Sequence, residues 1–213
     1  YKNSSNWSNQ NFVGLFARNN GTIRDLTLDN FTVAGNNYVG AVAAYNEENG
    51  SIINCHVKNS NVAGLENTSS VTNLVNNGGE VGSVVGSSDG LIEYCSAENT
   101  YLGGAKFVGG LVGVVYAGTV RYSYTSNISI MTDASSDKII SNGNIAVKNG
   151  YRCYSSYGGF MGQSQGGLVY DCFSNGASIK GYDMIGGFVG RLYQQAANGG
   201  AINRAYAADV SLT

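Results

Sequence analysis

Short hydrophobic runs alternate with glycine and asparagine along the whole chain. One recurring pattern is an apolar residue, a glycine and a short apolar run, as in Val39-Gly40-Ala41-Val42-Ala43. Six copies occur, and their leading glycines are Gly14, Gly40, Gly82, Gly109, Gly158 and Gly186. These glycines are 26, 42, 27, 49 and 28 residues apart, which indicates one period of about 27 residues with two insertions.

Two further patterns follow each copy of the first. The second begins at a glycine and contains a β-branched position, as in Gly50-Ser51-Ile52-Ile53-Asn54-Cys55. The third is a shorter apolar element that closes most repeats, as in Asn61-Val62-Ala63-Gly64. Helical periodicity is absent between them, so the sequence predicts three short strands per repeat, separated by Gly and Asn turns.

Strands this short cannot enclose a core within one repeat, so the repeats must stack. Parallel stacking places successive coils about 4.8 Å apart and lines up equivalent side chains in columns. We therefore predict an all-β, parallel β-helix-like solenoid of six coils, each of about 27 residues with three strands, forming a single domain over residues 1–213. The predicted core columns are Ile23, Ile52, Ile92, Val120, Val169 and Ile202, and Leu26, Cys55, Cys95, Ser123, Cys172 and Ala205.

Two features conflict with simple strand alternation. The two core columns are three residues apart, so the position of Asn54 is expected to lie in a bend or bulge. In the first pattern two adjacent columns are apolar, one containing Val84 and the other Val85. Either a bulge at the glycines turns both columns inward, or this sheet is covered on both faces.

Composition excludes two classes of partner. Charged residues make up 12% of the chain and hydrophobic residues 43%, which is typical of an ordered, sparsely charged domain. The formal net charge of −2 leaves no basic stripe for nucleic acid. The longest stretch of low polarity, 107–118, is too short to span a bilayer.

The Gly-Gly-Leu-Val-Gly segment at Gly109–Gly113, together with Gly50–Cys55, resembles the GLUG motif, which is named for a Gly-Leu-aliphatic-Gly signature. The resemblance recurs six times and covers nearly the whole chain. It implies a solenoid in a large exported bacterial protein, secreted or at the cell surface, and brings no catalytic residues. The chain ends in the last predicted strand without a polar cap, so we expect it to be a fragment flanked by further domains.

Candidate chemistry in the sequence is sparse. Gly86–Gly90 and Gly162–Gly166 match Gly-x-Ser-x-Gly, but a nucleophile elbow needs a strand feeding a helix and a nearby histidine, so we predict turns. His56 is the only histidine and is predicted to point outward. Asp133 and Asp137 frame a polar loop without a Ca²⁺-binding repeat. We expect no catalytic site, cofactor or metal.

The cysteines are expected to be buried free thiols. Cys55 and Cys95 fall in one column in adjacent coils, within reach of a disulfide but poorly angled for one. Cys172 lies two coils beyond Cys95 and cannot reach it. Cys153 lies in or beside an insertion, and its partner is undetermined.

A candidate binding surface arises from aromatic residues and from the insertions. Tyr124, Phe173 and Tyr206 share an outward column beside Tyr122, either stacking on each other or offering flat faces to sugar rings. The insertions, 65–80 and 131–151, leave the solenoid at one corner and are either a recognition surface or tolerated loops. From them we include Asn67, Asn76, Asp133 and Asp137.

Three functions compete at this point. The leading hypothesis is a bacterial surface or secreted adhesion module that binds a host or bacterial glycan or protein. A polysaccharide lyase or glycosidase is the alternative, although the fourteen acidic residues form no column. A passive spacer within a larger surface protein, such as a peptidase, is the third.

Overall fold

The computed structural model describes residues 12–35, 37–64, 79–104, 106–131, 155–181, 183–193 and 200–213, and these ranges correspond to six coils, numbered 1 to 6, of which the last takes the final two ranges. The described residues contain only strands, bends and turns, arranged in four parallel sheets. The fold is a parallel β-helix-like solenoid, as the repeat predicted. Among the described residues no helix is long and apolar enough to cross a membrane.

Sheets A and B are built from the first sequence pattern, one strand of each per coil. Sheet A contains β1 (Phe12–Val13), β5 (Tyr38–Gly40), β9 (Glu80–Gly82), β14 (Phe107–Gly109), β19 (Ser156–Gly158) and β23 (Met184–Gly186). Sheet B contains β2 (Phe16–Asn19), β6 (Ala43–Asn46), β10 (Val85–Ser88), β15 (Val112–Val115), β20 (Met161–Ser164) and β24 (Val189–Leu192).

Sheets C and D are built from the second and third patterns. Sheet C contains β3 (Thr22–Asp29), β7 (Ser51–Lys58), β11 (Leu91–Glu93), β12 (Ser96–Glu98), β16 (Thr119–Arg121), β17 (Tyr124–Ser126), β21 (Leu168–Asn175) and β25 (Ala201–Ala208). Sheet D contains β4 (Thr32–Gly35), β8 (Asn61–Gly64), β13 (Tyr101–Gly103), β18 (Ser129–Met131), β22 (Ser178–Lys180) and β26 (Ser211–Leu212).

The prediction of three strands per coil is wrong, because the first pattern forms two strands in separate sheets. Val84 lies at the corner after the sheet A strand, and Val85 begins the sheet B strand. Both side chains are fully buried. The corner therefore turns the column of Val84 inward. Every residue of β10, β15 and β20 is also buried, so this part of sheet B is covered on both faces.

The glycines of the pattern let sheets A and B approach backbone to backbone. A Cβ atom added at Gly82 would lie within 3.0 Å of the carbonyl O of Val85 and of the amide N of Gly113 in the next coil. Gly109 meets Val112 and Gly162 in the same way. The glycine column is thus required by the contact between the two sheets.

The predicted core columns are confirmed. Ile52 pairs in register with Ile23 and Ile92, and Cys55 pairs with Leu26. Ile52, Ile92, Val120 and Val169 are buried, whereas Ile23 and Ile202 in the end coils are partly buried against the same core. Coil 1 is one residue shorter at the A–B corner, so Phe16, which the repeat alignment places in the column of Val84, pairs instead with Ala43 in the column of Val85.

Each coil bends at two residues with left-handed backbone conformation. The first bend accounts for the three-residue spacing of the core columns, and it lies at the position of Asn54, as expected. Its members, all with φ between 48° and 56°, are Asp25, Asn54, Tyr94, Tyr122, Asp171 and Arg204. The second bend separates sheets C and D. Its members are Asn30, Asn59, Asn99, Asn127, Gly176 and Asp209.

Asparagine side chains at the second bend form a hydrogen-bonded ladder between coils. The Asn127 amide donates to Asn99 Oδ1 at 3.1 Å, and the Asn99 amide donates to Asn59 Oδ1 at 3.2 Å. The Asn59 amide in turn donates to Asp29 at 2.9 Å. Asparagine suits this position twice over, because it tolerates the left-handed conformation and supplies both a donor and an acceptor.

The two serine pentapeptides are not confined to turns as predicted. Gly86–Ser88 lies in β10 and 162–164 in β20, and only the last two residues of each form the bend into sheet C. Both bends lead to another strand, so neither pentapeptide has the strand-to-helix geometry of a nucleophile elbow.

Cys55, Cys95 and Cys172 are buried free thiols, as predicted. A hydrogen bond with Cys55 and burial together raise the pKa of Cys95. Both insertions follow a sheet D strand and precede a sheet A strand, so they leave the same corner, as expected. The insertions themselves lie outside the described residues except at their ends, where Glu80 belongs to β9 and Met131 to β18. Cys153 also lies outside them.

Candidate functional site

Six aromatic side chains lie together on the outer surface of sheet C in coils 3 to 6. They form two rows parallel to the solenoid axis, which we call the aromatic face. Row 1 comprises Tyr94, Tyr122 and Tyr170, and row 2 comprises Tyr124, Phe173 and Tyr206. In coil 4 the bend residue Tyr122 supplies a ring to row 1 and the first residue of β17, Tyr124, supplies one to row 2, so the stacking of coils brings the rings together.

The rings of row 2 stack face to face. The Tyr124 and Phe173 centroids are 5.0 Å apart at an interplanar angle of 7°, and those of Phe173 and Tyr206 are 5.1 Å apart at 5°. In row 1, Tyr94 and Tyr122 stack at 5.2 Å and 16°, whereas Tyr122 meets Tyr170 edge to face at 5.9 Å. The ring spacing in the stacks follows from the coil spacing of about 4.8 Å.

Two arginines lie against row 1, Arg121 with its guanidinium carbon 5.6 Å from the Tyr122 ring centroid and Arg204 at 5.7 Å from that of Tyr170. Arg121 forms an ion pair with Glu93 at 2.8 Å and donates to the Tyr170 hydroxyl at 2.9 Å. Arg204 forms a bidentate pair with Asp171 at 2.6 and 2.7 Å. These partners order the guanidinium groups, and the two opposite charges balance them.

The stacks determine which ring surfaces a ligand can reach. A ring inside a stack has both faces covered and presents only its edge, whereas a ring at the end of a row has one open face. The end rings Tyr94 and Tyr206 are 52% and 56% exposed, the two highest values among the large hydrophobic residues of sheet C. Tyr124, at the other end of row 2, is tied by its hydroxyl to Glu98 at 2.7 Å.

The four predicted aromatic residues, Tyr122, Tyr124, Phe173 and Tyr206, therefore lie on one surface, and the last three stack on one another. Sequence reasoning missed Tyr94 and Tyr170. Tyr94 occupies the same bend position as Tyr122 one coil earlier, so the repeat alignment contained the signal. The other predicted site residues, Asn67, Asn76, Asp133 and Asp137, lie outside the described residues.

His56 lies on the same outer surface, below row 2, and is half-buried. Its Nε2 atom is 3.0 Å from Asn54 Oδ1, and its Nδ1 atom is 2.9 Å from the Ser96 hydroxyl. An amide oxygen only accepts hydrogen bonds, so Nε2 carries the proton and the unprotonated Nδ1 faces the Ser96 hydroxyl. Burial lowers the pKa of His56, so the ring is neutral at pH 7.

A second polar cluster lies between sheets A and B around Glu80. The Glu80 carboxyl accepts hydrogen bonds from the Ser87 hydroxyl and, at 2.7 Å, from the Tyr116 hydroxyl. The Tyr45 hydroxyl donates to Asp89 at 2.5 Å nearby. Glu80 is only 8% exposed, so this cluster is closed to a polymeric substrate. Within the described ranges, no three His, Cys, Asp or Glu side chains are grouped to hold a metal ion.

Glu80→Gln is expected to stabilise the domain at neutral pH. Burial raises the pKa of Glu80, so the carboxyl favours folding when protonated, and this contribution is lost as the pH rises from the unfolded value of about 4.5 through the folded-state value. Glutamine removes the charge and keeps one of the two acceptor oxygens, and its amide NH2 can donate to the hydroxyl oxygen that faces the other position. Thermal unfolding should show a gain of the order of 1 kcal/mol at pH 7.5, or roughly 2–4 °C.

The difference between wild type and Glu80→Gln should shrink toward pH 4. A matched exposed carboxyl, Asp29→Asn, should show no gain at neutral pH. Equal unfolding temperatures of wild type and Glu80→Gln across the pH range would contradict the raised pKa.

These features define a class: the chain is a repeat domain with a parallel β-helix-like fold and an aromatic outer face. The GLUG motif matches residues 35–63, from the end of β4 to β8, which confirms the resemblance noted in the sequence. No match was found among curated proteins or solved structures. The matched segment includes Gly40, one of the glycines at the A–B contact.

Proposed function

We propose that this domain is a non-catalytic binding module of a secreted or cell-surface bacterial protein, and that its ligand is a carbohydrate bound at the aromatic face. The observation that carries the proposal is the rigid pair of aromatic rows on an exposed strand surface. Ordered rings lose little conformational entropy on binding, so their apolar contact with a ligand is retained as affinity. The GLUG motif supports the extracellular location.

The charged groups favour binding over catalysis. A glycosidase needs one carboxyl able to protonate a leaving group and a second carboxyl across the substrate. On the aromatic face, Glu93 and Asp171 are each paired with an arginine, and Arg204 holds the pKa of Asp171 below its usual range. Such carboxylates accept hydrogen bonds from sugar hydroxyls but are poor general acids.

Immobilised glycans test the proposal directly. Wild-type domain should bind at least one class of glycan, and Tyr94→Asn/Tyr206→Ala, which removes the two open ring faces, should bind at least tenfold more weakly, since each aromatic contact contributes about 1 kcal/mol or more. Asparagine replaces Tyr94 because Asn54 shows that it accepts this backbone conformation. Tyr101→Ala is the control, because Tyr101 is also exposed but lies on sheet D.

Two results would overturn the proposal. Binding to none of the glycans would favour a spacer or a protein ligand. Cleavage of a bound polysaccharide, seen as new reducing ends or unsaturated products, would identify an enzyme.

A further inference from the structure

Tyr94 has one open ring face in the direction of coil 2. Tyr122 covers its other face, since the two rings are nearly parallel and 5.2 Å apart. Rings stacked at the coil spacing have their normals along the solenoid axis. The open face of Tyr94 therefore points toward the equivalent bend position of the preceding coil, which is occupied by Asn54.

The amide of Asn54 is shorter than a tyrosine ring, so the outer half of the Tyr94 ring extends beyond it. This overhang agrees with the 52% exposure of a residue that is already stacked on one side. Below the overhang lies a row of polar groups. The Asn54 amide donates to Asp25 Oδ1 at 2.7 Å, and Asn54 Oδ1 accepts from His56.

Asp25 supplies a charged acceptor at the base of this row. Hydrogen bonds from Asn54 and Arg24 hold the pKa of its carboxyl below the usual range, so it is ionised at neutral pH. Its side chain is 54% exposed. A carboxylate accepts hydrogen bonds from two hydroxyl groups at once, and the neighbouring amide and imidazole lie on the same surface.

We propose that the open face of Tyr94, with Asn54 and Asp25 beneath it, is a subsite for one pyranose ring whose hydroxyls are all equatorial. This inference rests on the proposed function and assigns its ligand class. Such a sugar has apolar C–H faces, whose partial positive charge suits the negative face of an aromatic ring. Its hydroxyls lie at the ring edge, which is level with Asn54, and Asp25 lies one coil below to accept from a hydroxyl on that side.

Tyr206, the other end ring, lacks the polar groups that accompany Tyr94. It also has an open face and similar exposure, but that face points away from coil 5, and no polar side chain of the described residues follows it in that direction. In one stacking orientation an axial hydroxyl would project into the Tyr94 ring, and in the other orientation it points away from the ring edge, where Asn54 would bind it. The subsite therefore discriminates against sugars with axial hydroxyls, such as mannose.

The test uses a β-1,4-linked glucose hexamer as probe and isothermal titration calorimetry of the whole chain. Tyr94→Asn removes the ring but keeps a residue suited to the left-handed backbone, and it should weaken binding at least tenfold. Tyr94→Phe keeps the face and should bind within about twofold of wild type. Asp25→Asn should weaken binding several-fold, and Tyr101→Ala should leave it unchanged. A β-1,4-linked mannose hexamer should bind at least tenfold more weakly than the glucose hexamer.

The outcomes separate the subsite from the broader function. Wild-type affinity in Tyr94→Asn, or equal affinity for the two hexamers, would overturn the subsite. If the glucose hexamer does not bind while an immobilised glycan of another class does, the ligand class is wrong and the proposed function stands. If neither binds, both fail. Circular dichroism of each variant verifies that the fold is retained.

Discussion

Replacing Gly109 by alanine should destabilise the domain by about 3 kcal/mol, because the added methyl group has no room between sheets A and B. The three atoms nearest to it would belong to the backbone of Val112, Met161 and Gly162, all within 3.0 Å. Backbone held by two ladders cannot move aside as a flexible side chain can. Thermal unfolding should show a decrease of roughly 6–12 °C.

Gly103→Ala is the matched control for this substitution. Gly103 is also buried and lies in a strand of the preceding coil, but an added Cβ atom would meet only the carbonyl O of Met131, at 4.0 Å. Alanine there should be neutral or stabilise by about 0.4–1 kcal/mol, because it restricts the unfolded chain. Equal unfolding temperatures for the two variants would contradict the close contact between sheets A and B.

Replacing Asn99 by valine should cost about 2–4 kcal/mol. Two effects add: the loss of the ladder hydrogen bonds to Asn59 and Asn127, and the strain of a β-branched residue at φ 49°. Urea unfolding should detect the change as a lower midpoint with an unchanged slope.

Asn99→Gly separates the two effects. Glycine adopts the left-handed conformation freely, so this variant should lose only the ladder, about 1 kcal/mol. If valine and glycine cost the same, the backbone at this position is not left-handed. A further control is Ser126→Val, a neighbouring outward position in β17, where valine should cost little.

The core columns could be predicted from the sequence because each position in the repeat occurs six times, and the six residues can be compared. The apolar residues at the same repeat position in the other coils place Ile52 in the core, independently of the residues next to it in the sequence. The corner between Gly40 and Ala43 was missed because it contains no turn residue beyond the glycine, so one hydrophobic run was interpreted as one strand. The run is divided into two strands by the packing of sheets A and B against each other, which local sequence does not show.

The aromatic face was predicted in part for a related reason. Tyr124, Phe173 and Tyr206 follow the repeat at a position that alternation places outward. Tyr94 occupies a bend where alternation breaks down, and bulky residues are uncommon in the left-handed region. Tyr170 pairs with Arg121, so its position in the repeat carries no aromatic residue in coil 4. Which ring has an open face depends on stacking geometry, which a single sequence does not contain.

The staggered contact between sheets A and B has a consequence for how the solenoid comes apart. In coils 2 to 5 the sheet A glycine packs on the sheet B strand of the next coil, as Gly82 does on Gly113 and Gly109 on Gly162. Neighbouring coils are thus interlocked in addition to being hydrogen-bonded, so one coil cannot open without loosening the next. In a linear array, strong coupling between neighbours relative to the stability of each unit makes several units melt as one block. A mechanical load along the axis should accordingly release this domain in steps longer than one coil.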